Sequence, residues 1–131
     1  MTDLQALHDT THTMVMGVLN ITEDSFSDGG LWLDPAKAAQ HGRDMMAAGA
    51  DIIDIGAEST RPGAKRVSEA DELARITGAV KTLIPAGAVL SIDTTRASVA
   101  AAALSEAAQI INDVSGGTLD AALPHVVAEH D

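Results

Sequence analysis

The sequence predicts an α/β fold built on a parallel sheet. Three observations support this prediction: short apolar runs rich in Val and Ile recur along the chain, segments with helical start and stop signals separate them, and the two kinds of segment alternate strictly. Short runs rich in Val and Ile and ended by Gly, Asp or Asn are typical of strands buried on both faces. The spacing alone leaves open whether the sheet is doubly wound or closes into a barrel.

Four runs are predicted as strands and four segments as helices. The strands are residues 14–20, 51–56, 88–93 and 109–114, and the helices are residues 34–49, 68–84, 96–108 and a last one from near Leu119 to the end. Asp34 and Ser68 are predicted N-caps, because each is a preferred capping residue and Asp34 precedes a proline. Gly78 lowers the helix propensity of the second helix by about 1 kcal/mol relative to Ala.

Length and charge limit the classes of protein that fit. The 131 residues are the size of one domain, which we place at residues 14–131 after a polar lead-in at 1–13. A net charge of −11 argues against nucleic acid and anionic membranes as partners, since both require a basic face. There is no cysteine, no signal-peptide pattern and no apolar run of the roughly 18 residues that would span a membrane. We therefore predict a cytoplasmic protein.

Polar residues follow each predicted strand at its carboxyl end. The segments concerned read "NITEDSFSDGG", "GAESTRPGAKR", "SIDTTR" and "INDVSGG", whereas the connectors at the opposite ends are bland. In doubly wound sheets and in barrels alike, ligands bind at the carboxyl ends of the strands. This asymmetry predicts a catalytic face at that edge.

The first of these segments is acidic. Asn20, Glu23, Asp24 and Asp28 supply oxygen atoms, and such hard ligands suit Mg²⁺, which one or two protein groups and a substrate phosphate commonly hold together. The alternative is a solvated turn, because Asp, Ser and Gly are ordinary turn residues. His8 and His12 are four residues apart but lie in the polar lead-in, and the other three histidines are isolated, so no zinc site is predicted.

The second segment is basic. Arg61, Lys65 and Arg66 are three of only eight basic residues, and such a cluster suits phosphate oxygens. The alternative is a charged surface loop. Further along, Asp93 and Asn112 suit a planar heterocycle that carries an amino group and ring nitrogens, although both could instead be helix N-caps.

Four motifs together resemble the dihydropteroate synthase family. They are "MGVLNITEDSFSDGG", "DIGAESTRPGA", "SIDTTR" and "INDVSGG", in this order and covering nearly the whole chain from Met14. The resemblance implies a (β/α)₈ TIM barrel, of which about four βα units are present here. It also implies the condensation of 7,8-dihydropterin-6-ylmethyl diphosphate with p-aminobenzoate, a requirement for Mg²⁺, and competition by sulfonamides at the aminobenzoate site.

The resemblance also implies roles for individual residues. Asn20 is the residue linked to Mg²⁺, Asp28 is the loop acid near the same ion, and Arg61 meets the diphosphate. The remaining matched positions bind the pterin or the aminobenzoate, and they are Phe26, Thr60, Pro62, Asp93, Asn112 and Asp113. Asp54, in the middle of the second strand, is predicted to be a buried structural acid.

A complete barrel takes around 250 residues, so we expect this chain to be a partial synthase that is inactive alone, and the full-length form to be a homodimer. Two other functions are considered. A methyltetrahydrofolate-binding methyltransferase domain shares the barrel but lacks the long acidic loop and "STRPG". A non-catalytic synthase-like protein would keep the pterin site without turnover.

Overall fold

The structure, a computed structural model of the chain, describes residues 4–8, 11–22, 34–58, 63 and 66–130. The strands are β1 (Met16–Asn20), β2 (Ile52–Gly56), β3 (Leu90–Asp93) and β4 (Ile110–Asn112). The helices are α1 (Leu4–His8), α2 (Pro35–Ala47), α3 (Glu69–Leu83), α4 (Ala97–Ser105) and α5 (Leu123–Glu129). The predicted alternation of strands and helices is confirmed. The sequence did not predict α1, a five-residue helix with no buried residue inside the lead-in.

The strands form one parallel sheet in the order β1-β2-β3-β4. In a doubly wound sheet the order reverses at a switch point, whereas here consecutive strands are neighbours. One face, with Leu19, Ile55 and Ile92, packs against helix residues in the core, while Met16 and Val18 on the other face are about half exposed. Sequential strands with helices on one face are the arrangement of a (β/α)₈ barrel. The described chain supplies four βα units of it.

Helix α3 lies close to α2 because a glycine stands at the contact. A Cβ atom on Gly42 would lie 2.9 Å from both Cδ1 and Cδ2 of Leu83, closer than real carbon atoms approach. Leu83 is completely buried and belongs to the apolar stripe of α3 that also includes Ile76 and Val80. The small residue on α2 therefore fixes the distance at which the two helices cover the sheet.

The two predicted N-caps are confirmed. Asp34 Oδ1 accepts a hydrogen bond from the backbone N–H of Ala36 at 2.9 Å, and Ser68 Oγ accepts one from the N–H of Asp71 at 3.1 Å. Both caps are local, so the sequence is enough to predict them. No helix in the part of the chain that the structure describes is long and apolar enough to cross a membrane.

The start predicted for the last helix is wrong, because α5 begins at Leu123 and not near Leu119. The residues between β4 and α5 form turns, and Asp120 joins two elements there. Its Oδ2 accepts a hydrogen bond from the N–H of Ala97 at 2.8 Å, and its Oδ1 accepts one from the N–H of Ala122 at 3.1 Å. A helix running through Asp120 would remove the cap that this residue supplies to α4.

Candidate active site

Four residues lie in register across the carboxyl ends of the strands. Asn20 pairs with Gly56, Gly56 with Asp93, and Asp93 with Asn112. Because side chains in the same register of a parallel sheet point to the same face, the three side chains share the face that the helices leave uncovered. The structure thus brings together three of the residues that the sequence singles out, and we call them, with Gly56, the edge row.

Gly56 leaves the space in which two of these side chains approach each other. A Cβ atom at Gly56 would lie 3.1 Å from Asn20 Oδ1 and 3.4 Å from Asp93 Oδ2. The amide oxygen and the carboxylate oxygen therefore flank one small gap above the glycine backbone. A gap with oxygen atoms on two sides is suited to a cation or to a group that donates hydrogen bonds.

Asp54 accepts the hydrogen bonds that orient the Asn112 side chain. Its Nδ2 donates to the Asp54 carboxylate, at 3.3 Å to Oδ2 and 3.4 Å to Oδ1. Asp54 is only 5% exposed, so its predicted role as a buried, hydrogen-bonded acid is confirmed. Since Nδ2 faces Asp54, the carbonyl oxygen of the Asn112 side chain is left to accept a hydrogen bond from a ligand.

Asp93 is the electrostatically exceptional residue of the edge row. Partial burial, followed by the negative charges of neighbouring acids, raises the pKa of its carboxyl group to about 6; these acids are Asp54, Glu72, Glu58 and Asp113. Within the described ranges no group donates a hydrogen bond to this carboxylate. A poorly solvated acid among like charges is typical of a functional site, where a ligand supplies the missing donors.

Asp113, which the resemblance implies to be a pterin-binding residue, accepts hydrogen bonds from its own loop. It lies one residue beyond the edge row, and its carboxylate accepts hydrogen bonds from Ser115 Oγ at 2.7 Å and from the N–H groups of Ser115 and Gly117 at 2.8 Å each. Burial raises the pKa of Asp113, but these hydrogen bonds outweigh it and the pKa is lowered. Asp113 therefore holds its own loop, and a direct contact with pterin stays a prediction.

A buried group behind Asp93 was missed by the sequence reading. Glu72 is 2% exposed; its Oε2 accepts a hydrogen bond from Thr94 Oγ1 at 2.6 Å, and its Oε1 lies 2.5 Å from Arg96 Nη1. A signal was present, because Glu72 occupies the apolar stripe of α3, four residues before Ile76. An acid on a core-facing stripe requires a buried partner.

The other predicted site residues lie outside the described ranges. They are Glu23, Asp24, Phe26 and Asp28 in the first segment and Thr60, Arg61, Pro62 and Lys65 in the second. The second segment is described only at its flanks and at Gly63 and Arg66. Arg66 forms hydrogen bonds with Glu58 Oε1 at 3.3 Å and Thr95 Oγ1 at 2.8 Å.

The described residues offer few protein ligands to a Mg²⁺ ion. These residues contain no cluster of three or more His, Asp or Glu side chains placed to hold a metal. Mg²⁺ does not require one, because it commonly keeps water and substrate phosphates and takes only one or two protein oxygens. Asn20 Oδ1, beside the gap at Gly56, is such an oxygen. The edge row thus fits a Mg²⁺ ion that a phosphate ligand helps to hold.

Fold and edge row together define four βα units of a (β/α)₈ barrel with a row of polar side chains at the carboxyl ends of its strands. The comparison with known families makes the class specific. Residues 16–131 match the family described as "Pterin binding enzyme", so the chain belongs to the pterin-binding enzyme family.

Individual relatives are close in sequence and in structure. The chain is 58% identical over 115 residues to dihydropteroate synthase from Mycobacterium leprae, a match that covers 88% of this chain and 40% of that protein. Dihydropteroate synthase from Clostridium difficile, solved with pteroic acid, superposes with a TM-score of 0.84 at 43% identity, covering 92% of this chain and 46% of that one. The Burkholderia cenocepacia enzyme complexed with 7,8-dihydropteroate gives 0.76 at 38% identity, covering 89% and 38%. The chain thus spans less than half the length of these relatives.

Proposed function

We propose that the chain carries the pterin-binding part of a dihydropteroate synthase. Such an enzyme joins 7,8-dihydropterin-6-ylmethyl diphosphate to p-aminobenzoate and releases diphosphate. The observation that carries the proposal is the edge row, in which Asn20, Asp93 and Asn112 share one face at the carboxyl ends of β1, β3 and β4. Among the relatives, the Burkholderia cenocepacia enzyme supports the proposal. It is complexed with 7,8-dihydropteroate, a molecule that contains both halves of the product.

The pterin ring matches the hydrogen-bonding groups of the edge row. A pterin presents an amino group and ring N–H groups along one edge, and these donate hydrogen bonds. The Asp93 carboxylate, which receives no hydrogen bond from any described residue, accepts two such donors, and the Asn112 carbonyl oxygen accepts another. Hydrogen bonds from the ring would stabilise the Asp93 carboxylate and lower its pKa. Ligand binding would therefore offset the repulsion that the neighbouring acids exert on Asp93.

The diphosphate end of the substrate requires positive charge. Asn20 would hold Mg²⁺, with Asp28 as the catalytic loop acid near the ion, and Mg²⁺ when bound would neutralise charge on the departing diphosphate. Arg61 would donate a bidentate pair of hydrogen bonds to the phosphate oxygens, with Thr60 beside it. Phe26 and Pro62 would line the aminobenzoate pocket. The loop that Asp113 holds would lie against the pterin.

The proposed enzyme acts in the cytoplasm as a homodimer. Its small-molecule substrates need neither nucleic acid nor membrane. The amine of p-aminobenzoate attacks the pterin methylene carbon as the carbon–oxygen bond to diphosphate breaks, and the amine then loses one proton. A carboxylate near the methylene carbon would stabilise the positive charge that develops on this carbon as diphosphate leaves.

The proposal is tested on a chimera in which residues 16–131 replace the corresponding region of the Mycobacterium leprae synthase. We expect diphosphate release that depends on both p-aminobenzoate and Mg²⁺. D93A should weaken pterin binding, whereas D44A, which removes an exposed acid on α2, should not. A folded chimera that releases no diphosphate, while the parent enzyme does, would refute the proposed function.

A further inference from the structure

The residue that follows Asp93 is held from three sides. The Thr94 N–H donates to the Asn112 carbonyl oxygen at 3.3 Å, one residue beyond the pairing of β3 with β4 in the edge row. Thr94 Oγ1 donates to Glu72 Oε2 at 2.6 Å and accepts a hydrogen bond from the Arg96 N–H at 3.1 Å. Thr94 is completely buried. Its contacts therefore join the end of β3 to β4, to α3 and to the start of α4.

We propose that Glu72 is a positioning residue, which acts through Thr94 to hold the end of β3 and thereby fixes the Asp93 carboxylate in the edge row. The inference rests on the proposed function, because it names a residue that serves the pterin ring without touching it. Glu72 lies on α3, 22 residues before Thr94 in the chain. It is outside the four motifs on which the family resemblance depends.

Glu72 is itself fixed, because both of its carboxylate oxygens are bonded. Oε2 accepts the hydrogen bond from Thr94, and Oε1 forms an ion pair with Arg96 Nη1 at 2.5 Å. Arg96 Nη2 donates in addition to the Val67 carbonyl oxygen at 2.7 Å, next to the N-cap of α3. A carboxylate with both oxygens bonded has little freedom to turn. The acceptor that Glu72 offers to the Thr94 hydroxyl therefore has a fixed position.

Stability alone does not explain an acid at this position. Glu72 is buried in the apolar stripe of α3 with Ile76 and Val80. Moving charges out of water costs free energy that a buried ion pair often offsets only in part, and an apolar side chain in the stripe would carry no such cost. The acid provides what an apolar residue lacks, which is an acceptor for the hydroxyl group next to Asp93.

The contacts of Glu72 require a carboxylate. Two donors face it, the Thr94 hydroxyl and the Arg96 guanidinium, and the guanidinium cannot accept a hydrogen bond. The two carboxylate oxygens accept from both donors. Glutamine has one oxygen and one NH₂ group, so either the guanidinium would face a donor or the Thr94 hydroxyl would lose its acceptor. E72Q therefore disrupts one contact while it keeps the size of the side chain.

The charge of Glu72 and its proposed positioning role act on Asp93 in opposite directions. The charge is one of the causes that raise the pKa of Asp93 to about 6, and it disfavours the ionised carboxylate that would accept hydrogen bonds from the ring. At pH 8 Asp93 is ionised with or without this charge. A loss of pterin affinity at pH 8 then reports the position of Asp93 and not its protonation.

The test uses E72Q in the chimera described above, at pH 8, with E69Q as the matched control. Glu69 is on the same helix and also accepts a hydrogen bond from a hydroxyl, Ser98 Oγ at 2.7 Å, but both residues of this pair are exposed. Two probes are titrated by calorimetry: 6-hydroxymethylpterin, which carries only the ring, and inorganic diphosphate with Mg²⁺. We expect E72Q to weaken the ring probe about tenfold, which corresponds to the loss of one hydrogen bond to a charged group, and to change the diphosphate probe less than twofold. E69Q should change neither.

T94V tests the same contact from its other end. Valine has nearly the shape of threonine without the hydroxyl, and the ion pair of Glu72 with Arg96 stays in place, so T94V decides the question even where E72Q does not fold. S98A, which removes the hydroxyl of the control pair, is its matched control. We expect T94V to weaken the ring probe about tenfold and S98A to have no effect. In a D93A background the effect of T94V should fall below twofold, because the group that Glu72 positions is gone.

These comparisons separate positioning from general damage. Calorimetric stoichiometry reports the folded fraction, so partial unfolding changes the number of sites and leaves the affinity of folded molecules unchanged. Equal weakening of both probes, an unchanged ring affinity in T94V, or an effect of T94V that persists in D93A would each overturn the inference. Failure of the unsubstituted chimera to bind either probe would instead overturn the proposed function, and the inference with it.

Discussion

Replacing Asp93 by Asn should stabilise the folded chain at neutral pH while it weakens ligand binding. Asp93 is partly buried, and its carboxylate faces the charges of Asp54, Glu72, Glu58 and Asp113 with no donor from the described residues. Asn has nearly the same size and no charge, so D93N removes the repulsion without creating a cavity. The free energy of unfolding should therefore be higher in D93N than in the wild type.

The magnitude follows from the pKa. The pKa of Asp93 rises from 3.8 to about 6, and at 1.36 kcal/mol per pH unit this corresponds to ~3 kcal/mol as an upper limit. Because the side chain is only partly buried, water screens part of the repulsion, and we expect a gain of about 1–2 kcal/mol at pH 8. The folded state binds its proton more readily than the unfolded chain, so wild-type stability falls as the pH rises from 3.8 to about 6.

The assay is urea unfolding of the 131-residue chain and of D93N between pH 4 and pH 8. The stability difference should be small at pH 4 and reach its full value above pH 6. D113N is the matched control with the opposite sign, since hydrogen bonds from Ser115 and Gly117 lower the pKa of Asp113, and it should destabilise the chain at pH 8. A D93N variant that is less stable than wild type at pH 8, or whose effect does not change with pH, would refute the electrostatic reasoning.

Three further predictions concern single residues. G78A should raise the free energy of unfolding by about 0.5–1 kcal/mol, because an added Cβ meets nothing within 4 Å and alanine favours the helix; urea unfolding that shows a loss would contradict this. G56A should weaken the calorimetric affinity for pterin by roughly tenfold and leave the circular dichroism spectrum unchanged, since the added methyl occupies the gap between two site oxygens; unchanged affinity would argue against the edge row as the site. D120N should lower the melting temperature at pH 7, because hydrogen bonds from the N–H groups of Ala97 and Ala122 lower the pKa of Asp120. That contribution is lost as pH falls below 3.8, so a difference in melting temperature that persists at lower pH would contradict it.

Much of the candidate site could be predicted because it depends on local sequence and on one rule of topology. Asn20, Asp93 and Asn112 each end a predicted strand, and parallel strands bring their carboxyl ends to one edge. Asp34 and Ser68 cap helices through hydrogen bonds that span two or three residues. In both cases the information lies within a few residues of the feature.

The rest depends on contacts between distant parts of the chain. Barrel and doubly wound sheet differ in strand order, which spacing does not encode; the family resemblance implied the barrel, and the observed strand order confirms it. Glu72 and Arg96 meet across 24 residues, and Asp120 caps a helix that begins 23 residues earlier. Neither pair follows a periodicity of a helix or a strand, so sequence patterns alone do not reveal them.

The negative charge of the chain disfavours the binding of a diphosphate, but the positions of the individual charged groups reduce this effect. A net charge of −11 repels anions at long range, but salt screens that repulsion beyond about 10 Å, so the groups near the ligand decide. Beside the edge row, the carboxylates of Glu58 and Glu72 form ion pairs with Arg66 and Arg96, which reduces the repulsion between these carboxylates and an anion. Neither arginine is then free to bind phosphate. Asp93 accepts no hydrogen bond from any described residue, so in the proposed function it would favour a ligand that donates hydrogen bonds. In the proposed function the diphosphate would be received by Mg²⁺ beside Asn20, so a carboxylate would face the donors of the pterin ring while a cation would face the phosphate oxygens.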